Sequence, residues 1–192
     1  MSADIDFTRV FASEHENRVA GLVLVDASHE DQGERYAAVG AASAIPPYAS
    51  LLRPVASLGV LRLLGVTLGA PPQSAPEPVR HFVRATAYRT SKYNTMYNEL
   101  MHTRESGDEV RSTRRELAIP VVVLSGGLRS GPTAPVQQEL QSDMLRLSSR
   151  SCQIVAERSG HDVAANEGNL VVKAIRAAID ASSTPTTALV CE

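Results

Sequence analysis

Two apolar runs constrain this chain more than anything else in it. "VAGLVLVDA" (19–27) and "IPVVVLSGG" (119–127) are nearly continuous aliphatic stretches with no polar alternation. A strand with one wet face alternates, whereas one covered on both faces does not. Such runs are the mark of parallel strands inside an α/β layer. A third run, "SCQIVAE" (151–157), is a weaker strand. We read all three as buried on both faces. Helical periodicity follows the second and third runs, in "APVQQELQSDMLRLSS" (134–149) and "GNLVVKAIRAAIDA" (168–181). Strand, helix, strand, helix in that order predicts an α/β fold with right-handed crossovers.

Residues 28–117 carry no strand-like run. Helical patterns occupy 48–66, 76–104 and 106–118, joined by the proline-rich "GAPPQSAPEP" (69–78). This reads as a helical insertion between two strands of the sheet. The run 48–66 is open to a second reading as a membrane-surface helix. Its only charges are Arg53 and Arg62, and a lid packed over a cleft explains its apolarity equally well. A further short helix is expected over 6–18. The tail 182–192, "SSTPTTALVCE", reads as disordered.

Composition excludes several classes. The chain has 192 residues, 43% of them hydrophobic and 21% charged, with a formal net charge of -2. That balance gives no pull toward nucleic acid or an anionic membrane. No run approaches the ~20 apolar residues that span a bilayer. "MSADIDFTRVF" places acids where a secretion signal needs bases. The two cysteines, Cys152 and Cys191, have no metal-ligand spacing and imply no disulfide framework. A reducing, cytoplasmic setting is the default expectation. No cofactor or metal is implied.

One turn stands out chemically. "ERSGHDV" (157–163) places His161 among small residues between the third strand and the last helix. Imidazole is the side chain best poised for proton transfer near neutral pH.

Taken together, "RVAGLVLVDASHEDQ" (18–32), "IPVVVLSGG" (119–127) and "ERSGHDVAANEGNLVVKAIRAAI" (157–179) resemble the C-terminal half of an α/β-hydrolase. In that family the sixth strand ends in a motif like "LVLVD" and a helical cap follows. The seventh strand begins at Ile-Pro, and the catalytic histidine lies in a Ser-Gly-His turn after the eighth. The resemblance runs from about residue 2 to about residue 181. It implies a partial α/β-hydrolase core of about three parallel strands (1–27 and 118–181) with a cap at 28–117. It also implies a family reaction, serine-dependent hydrolysis of an ester or related acyl bond. By the same resemblance His161 is the general base.

The base needs an orienting carboxylate. The loop after the second apolar run, "SGGLRSGPTAP" (125–135), has none. A smaller set of relatives places the acid at the end of the sixth strand, where Asp26 stands. Asp26 is therefore the expected orienter. The alternatives are that it merely caps the next segment, or that Glu30 or Asp31 takes the role. Asp162 is set aside, because the neighbour of the base points elsewhere. His29 is expected at the surface or against the cap. A metal site on His29, Glu30 and Asp31 is disfavoured, since adjacent residues do not converge on one ion.

The nucleophile departs from the family. No Gly-x-Ser-x-Gly elbow occurs. Counting back from the first strand places the serine position at Ser2, with Met1 before it and Asp4 where the elbow needs glycine. Catalysis by this chain alone is therefore not expected. A truncated gene, or a start assigned too late, would explain the missing strands. The alternative is a non-catalytic interaction module, or a homo-oligomer that pairs through the exposed sheet edge. Tyr88, Tyr93 and Tyr97 in the cap favour a small hydrophobic acyl or ester substrate.

Overall fold

The computed structural model describes residues 4–41, 49–65, 75–184 and 189–191. Three parallel strands form one sheet: β1 (Leu22–Val25), β2 (Val121–Gly126) and β3 (Ser151–Ala156), in the order β1-β2-β3. The register aligns Leu22 with Val121 and Val121 with Ser151. The fold is α/β, as the sequence predicts.

That register sorts the aliphatic residues onto two faces, because side chains alternate along a strand. Leu22, Leu24, Val121 and Val123 share one face with Ala12, Leu117, Met144 and Leu147. Ala12 comes from α1 (Asp4–Glu14), and Met144 and Leu147 from a 3-10 turn that continues α7 (Ala134–Asp143). Val122, Leu124, Ile154 and Ala156 share the other face. They pack against Val163 of α8 (Val163–Asn166) and against Ala174 and Ala178 of α9 (Gly168–Ser183).

Only β2 is buried along its whole length. In β1, Val23 and Val25 are half-buried, and in β3 Val155 is exposed. The expectation that all three strands are buried on both faces is corrected here. β1 and β3 are the two edges of a three-stranded sheet, so helices cover them incompletely.

The chain divides into two compact units, residues 1–43 with 104–192, and residues 44–103. The sheet belongs to the first, together with α2 (Gln32–Ala38). The second contains α3 (Ala49–Ser57), α4 (Val60–Leu63) and α5 (Glu77–Thr86), with the start of α6 (Thr90–Thr113). Its small core joins Ala56, Leu61 and Tyr93. Tyr93 is fully buried and its hydroxyl donates to the Ala87 carbonyl at 3.0 Å. Tyr93 is thus a core residue of this unit rather than part of an open surface for an acyl chain. The apolar run 48–66 breaks at Gly59, whose φ of 72° suits glycine.

The sequence suggests one helix over 76–104 and another over 106–118. Instead α6 runs unbroken through Gly107 to Thr113. Glycine is retained there for space: a Cβ at Gly107 would lie 3.3 Å from the Glu30 carbonyl oxygen. The two cysteines also differ from expectation. Cys152 of β3 and Cys191 are joined in a disulfide with their Cα atoms 5.8 Å apart. Leu189 and Cys191 of the tail pack against the second sheet face, and Ser182 and Ser183 belong to α9. Among the described residues, no helix is long and apolar enough to cross a membrane.

Candidate functional site

The C-terminal ends of the three strands converge on one pair of side chains. β1 ends at Val25, and the next backbone N–H, that of Asp26, still donates to Leu124 at 2.6 Å. The chain then turns sharply. Asp26 has a φ of 44°, and among the described residues it is the only non-glycine with a positive φ. Aspartate tolerates this left-handed region better than most residues, but the conformation still costs energy. Strain of this kind persists where surrounding contacts hold it, often at functional sites.

The turn directs the Asp26 carboxylate toward the turn that follows β3. Its Oδ2 lies 2.8 Å from Nδ1 of His161. Its Oδ1 accepts the Gly126 N–H at 3.0 Å and a hydrogen bond from the Arg129 guanidinium. The carboxylate is almost wholly buried. Burial pushes the Asp26 carboxyl up, but the hydrogen bonds from His161, Arg129 and Gly126 outweigh it and leave it below its ordinary value. Since an ionised carboxylate only accepts, Nδ1 of His161 carries the proton. Nε2 is then the basic nitrogen. The His161 side chain is 59% exposed. The Asp26 hydrogen bond raises its pKa above the ordinary imidazole value, against a smaller opposing effect of burial.

The histidine turn is held by groups that the sequence reading missed. Glu167 is buried at the junction of α8 and α9. Its Oε2 accepts the Arg158 N–H at 2.9 Å and the Ser159 hydroxyl at 2.8 Å. These bonds, led by that from Ser159, lower the Glu167 pKa. On the other side, the Leu128 N–H donates to the Ser159 carbonyl at 2.9 Å. Gly126 lets the two loops approach. A Cβ there would overlap the Gly160 carbonyl group, lying 2.7 Å from its carbon and 3.0 Å from the Ser159 oxygen. The Gly-Gly exit of the second apolar run was a visible signal for this approach. Glu167 offered only its position, six residues after the histidine.

Arg129 lies in the loop where many members of the resembled family carry the acid. Here the loop carries a cation instead, and it pairs with the acid that follows β1. Its Nε also donates to the Gly126 carbonyl at 3.2 Å.

The other candidate acids are engaged elsewhere. Glu30 is buried between Arg9, at 2.6 Å, and Arg114, at 3.0 Å. Burial pushes its carboxyl up, but Arg9 and His29 prevail and hold it at about 2. Asp31 accepts from Nε of Arg111 at 3.0 Å. His29 is buried, which corrects the surface half of the expectation that it lies at the surface or against the cap. Its Nδ1 accepts the Asp31 N–H at 3.1 Å, and its Nε2 meets Asp143 at 3.2 Å. These residues form an ion-pair cluster that ties α1, α6 and α7 to the loop after β1. Among the described residues, no three His, Cys, Asp or Glu side chains are grouped to hold a metal ion. Ser2, the expected nucleophile position, lies outside the described residues.

The assembled site can do acid–base chemistry. A buried, ionised carboxylate fixes one tautomer of an imidazole whose other nitrogen has no hydrogen-bond partner among the described residues. Comparison with known proteins adds no assignment: no family model, curated protein or solved structure matches this chain.

Proposed function

We propose that Asp26 and His161 form the acid–base half of a catalytic triad in an α/β-hydrolase-like protein. The reaction is serine-dependent hydrolysis of an ester or related acyl bond. The observation that carries this reading is the 2.8 Å contact between a buried, left-handed aspartate at a strand end and an exposed imidazole. In this scheme Nε2 of His161 takes the proton from a serine hydroxyl and later returns it to the leaving group, while Asp26 holds the ring and balances the imidazolium. The sequence contains no Gly-x-Ser-x-Gly elbow. Acyl transfer therefore rests on Ser2 or on a serine outside this sequence, and we expect the chain alone to be inactive. We place the protein in the cytoplasm, acting on a small hydrophobic acyl or ester substrate.

The test is fluorophosphonate labelling of the product that its own cell makes, with its intact mass measured in parallel. A label that disappears in His161→Gln supports the reading. A label indifferent to His161, or no label on a product whose mass exceeds that of this sequence, removes it.

A second reading, a non-catalytic module or homo-oligomer, is favoured by the β1 edge. The N–H groups of Leu22 and Asp26 bond toward β2. Strand alternation then turns the N–H and C=O groups of Val23 and Val25 away from it. Phe7 and Phe11 of α1 and Val172, Ile175 and Ile179 of α9 are exposed as well. Sedimentation velocity separates the readings: a concentration-dependent dimer, weakened by charged substitutions at Ile175 and Ile179, supports association. A monomer at all concentrations excludes the homo-oligomer.

A further inference from the structure

The C-terminal segment Leu189–Cys191 is attached to the body of the fold in an unusual way. Leu189 and Cys191 are half-buried against the cluster formed by β2, β3 and α9, and Val190 is exposed. Among the described residues, no hydrogen bond holds this segment. Its firm attachment is the bond from Cys191 to Cys152, a residue of the sheet's edge strand. The segment also forms one wall of a surface cleft, in which Leu189 and Val190 face Val172, Arg176 and Ala177 of α9.

Two half-buried side chains recover little of the conformational entropy lost when three residues are ordered. The covalent bond supplies what packing does not. Neither cysteine residue is fully buried, and exposed disulfides are the labile ones.

We propose that Cys152 and Cys191 are a thiol–disulfide exchange site. It clasps the C-terminal segment over α9 when oxidised and releases it when reduced by a dithiol. One thiolate of the dithiol attacks a protein sulfur, forms a mixed disulfide and expels the other cysteine as a thiolate. The second thiol of the reductant displaces the mixed disulfide. Two protein thiols and one oxidised dithiol result, with two electrons transferred. The reverse exchange with a small disulfide restores the clasp. The proposal is independent of the hydrolase reading.

The experiment uses the full chain, equilibrated in glutathione buffers from oxidising to cytosolic poise. Thiols are trapped with an alkylating reagent, and the Leu189 methyl groups are followed by NMR. We expect no alkylation in the oxidising buffer, and two alkyl groups in the reducing one after addition of a dithiol. Contacts between the Leu189 methyl groups and Ala177 should be lost on reduction, while the methyl signals of β2 are unchanged. Cys191→Ser should match the reduced protein in any buffer. Three results would overturn the proposal: a bond that survives the reducing buffer with dithiol, thiols that stay free in the oxidising one, or Leu189–Ala177 contacts that persist unchanged in Cys191→Ser.

Discussion

Asp26 and His161 stand 135 residues apart in the chain and meet at 2.8 Å, Oδ2 to Nδ1. Each alters the other: the carboxylate raises the imidazole pKa, and the imidazole helps to lower the carboxyl pKa. The ion pair exists between those two values. Asp26 contributes stability that is present above its unfolded pKa and lost as pH falls through its depressed folded value. His161 contributes stability that is full below its unfolded pKa and lost as pH rises through its raised folded value.

Removing the charge of Asp26 tests this coupling. In Asp26→Asn the His161 pKa should fall from its raised position to or below the ordinary imidazole value. An NMR titration of the His161 ring protons measures it. An unchanged titration would mean that the carboxylate does not govern the imidazole.

Gly126→Ala should disturb the site without touching either charged group. The new methyl overlaps the Gly160 carbonyl, so the histidine turn must shift. Overpacking of this kind costs about 1–3 kcal/mol. Denaturant unfolding measures the cost, and the His161 titration should move in the same direction as in Asp26→Asn. Wild-type values for both would show that the loops are not closely packed.

Glu167→Ala removes the acceptor shared by the Arg158 N–H and the Ser159 hydroxyl. Hydrogen exchange at Arg158 should accelerate by more than the loss in global stability explains, because the turn opens locally. Glu167→Gln keeps an acceptor oxygen and should restore part of the protection. The wild-type bond is present above the unfolded Glu pKa and weakens as pH falls through the depressed folded value.

The Arg9–Glu30 pair offers a test outside the site. Both side chains are nearly inaccessible, at 3% and 0%. Truncating Arg9 alone leaves a buried carboxylate with less compensation, at a cost of about 3–5 kcal/mol. Changing Arg9→Met together with Glu30→Leu should recover most of that loss. The Glu30 carboxyl is held at about 2, below its ordinary value of 4.5, which corresponds to roughly 3 kcal/mol at neutral pH. That contribution is complete above about 4.5 and disappears as pH drops toward 2. Acid unfolding of wild type and the double variant shows it: the double variant should be flatter in that window.

Much of the sheet was legible because its signals are local. "LVLV" and "VVVLSG" are aliphatic without alternation, and they became β1 and β2 near the expected boundaries. The helical run 168–181 became α9, preceded by the short α8 that the pattern did not show. Helix boundaries that depend on distant contacts were not legible. The patterns over 76–104 and 106–118 read as two helices, whereas α5 ends at Thr86 and α6 runs on from Thr90 to Thr113. The site divides in the same way. A histidine in a small-residue turn and an aspartate at a strand end are visible in the residues themselves. That Arg129 and Gly126 bind the same carboxylate depends on where loops 100 or more residues apart come to rest, and that Glu167 secures the turn depends on how α8 folds back on it, eight residues from Ser159.

The sequence by itself determined the α/β class, the parallel strands and the chemical character of His161. Those properties follow from side-chain periodicity, apolar content and turn residues, all of which act over a few positions. Tertiary structure alone decided which acid meets the histidine. Asp26, Glu30 and Asp31 are near neighbours with the same carboxylate chemistry. The β1–β2 register and the left-handed turn at Asp26 aim one of them at His161. Arg9 and Arg114 take Glu30, and Arg111 takes Asp31. The pairing of Cys152 with Cys191 was settled in the same way, because a bond between groups far apart in sequence depends on packing that no local pattern encodes.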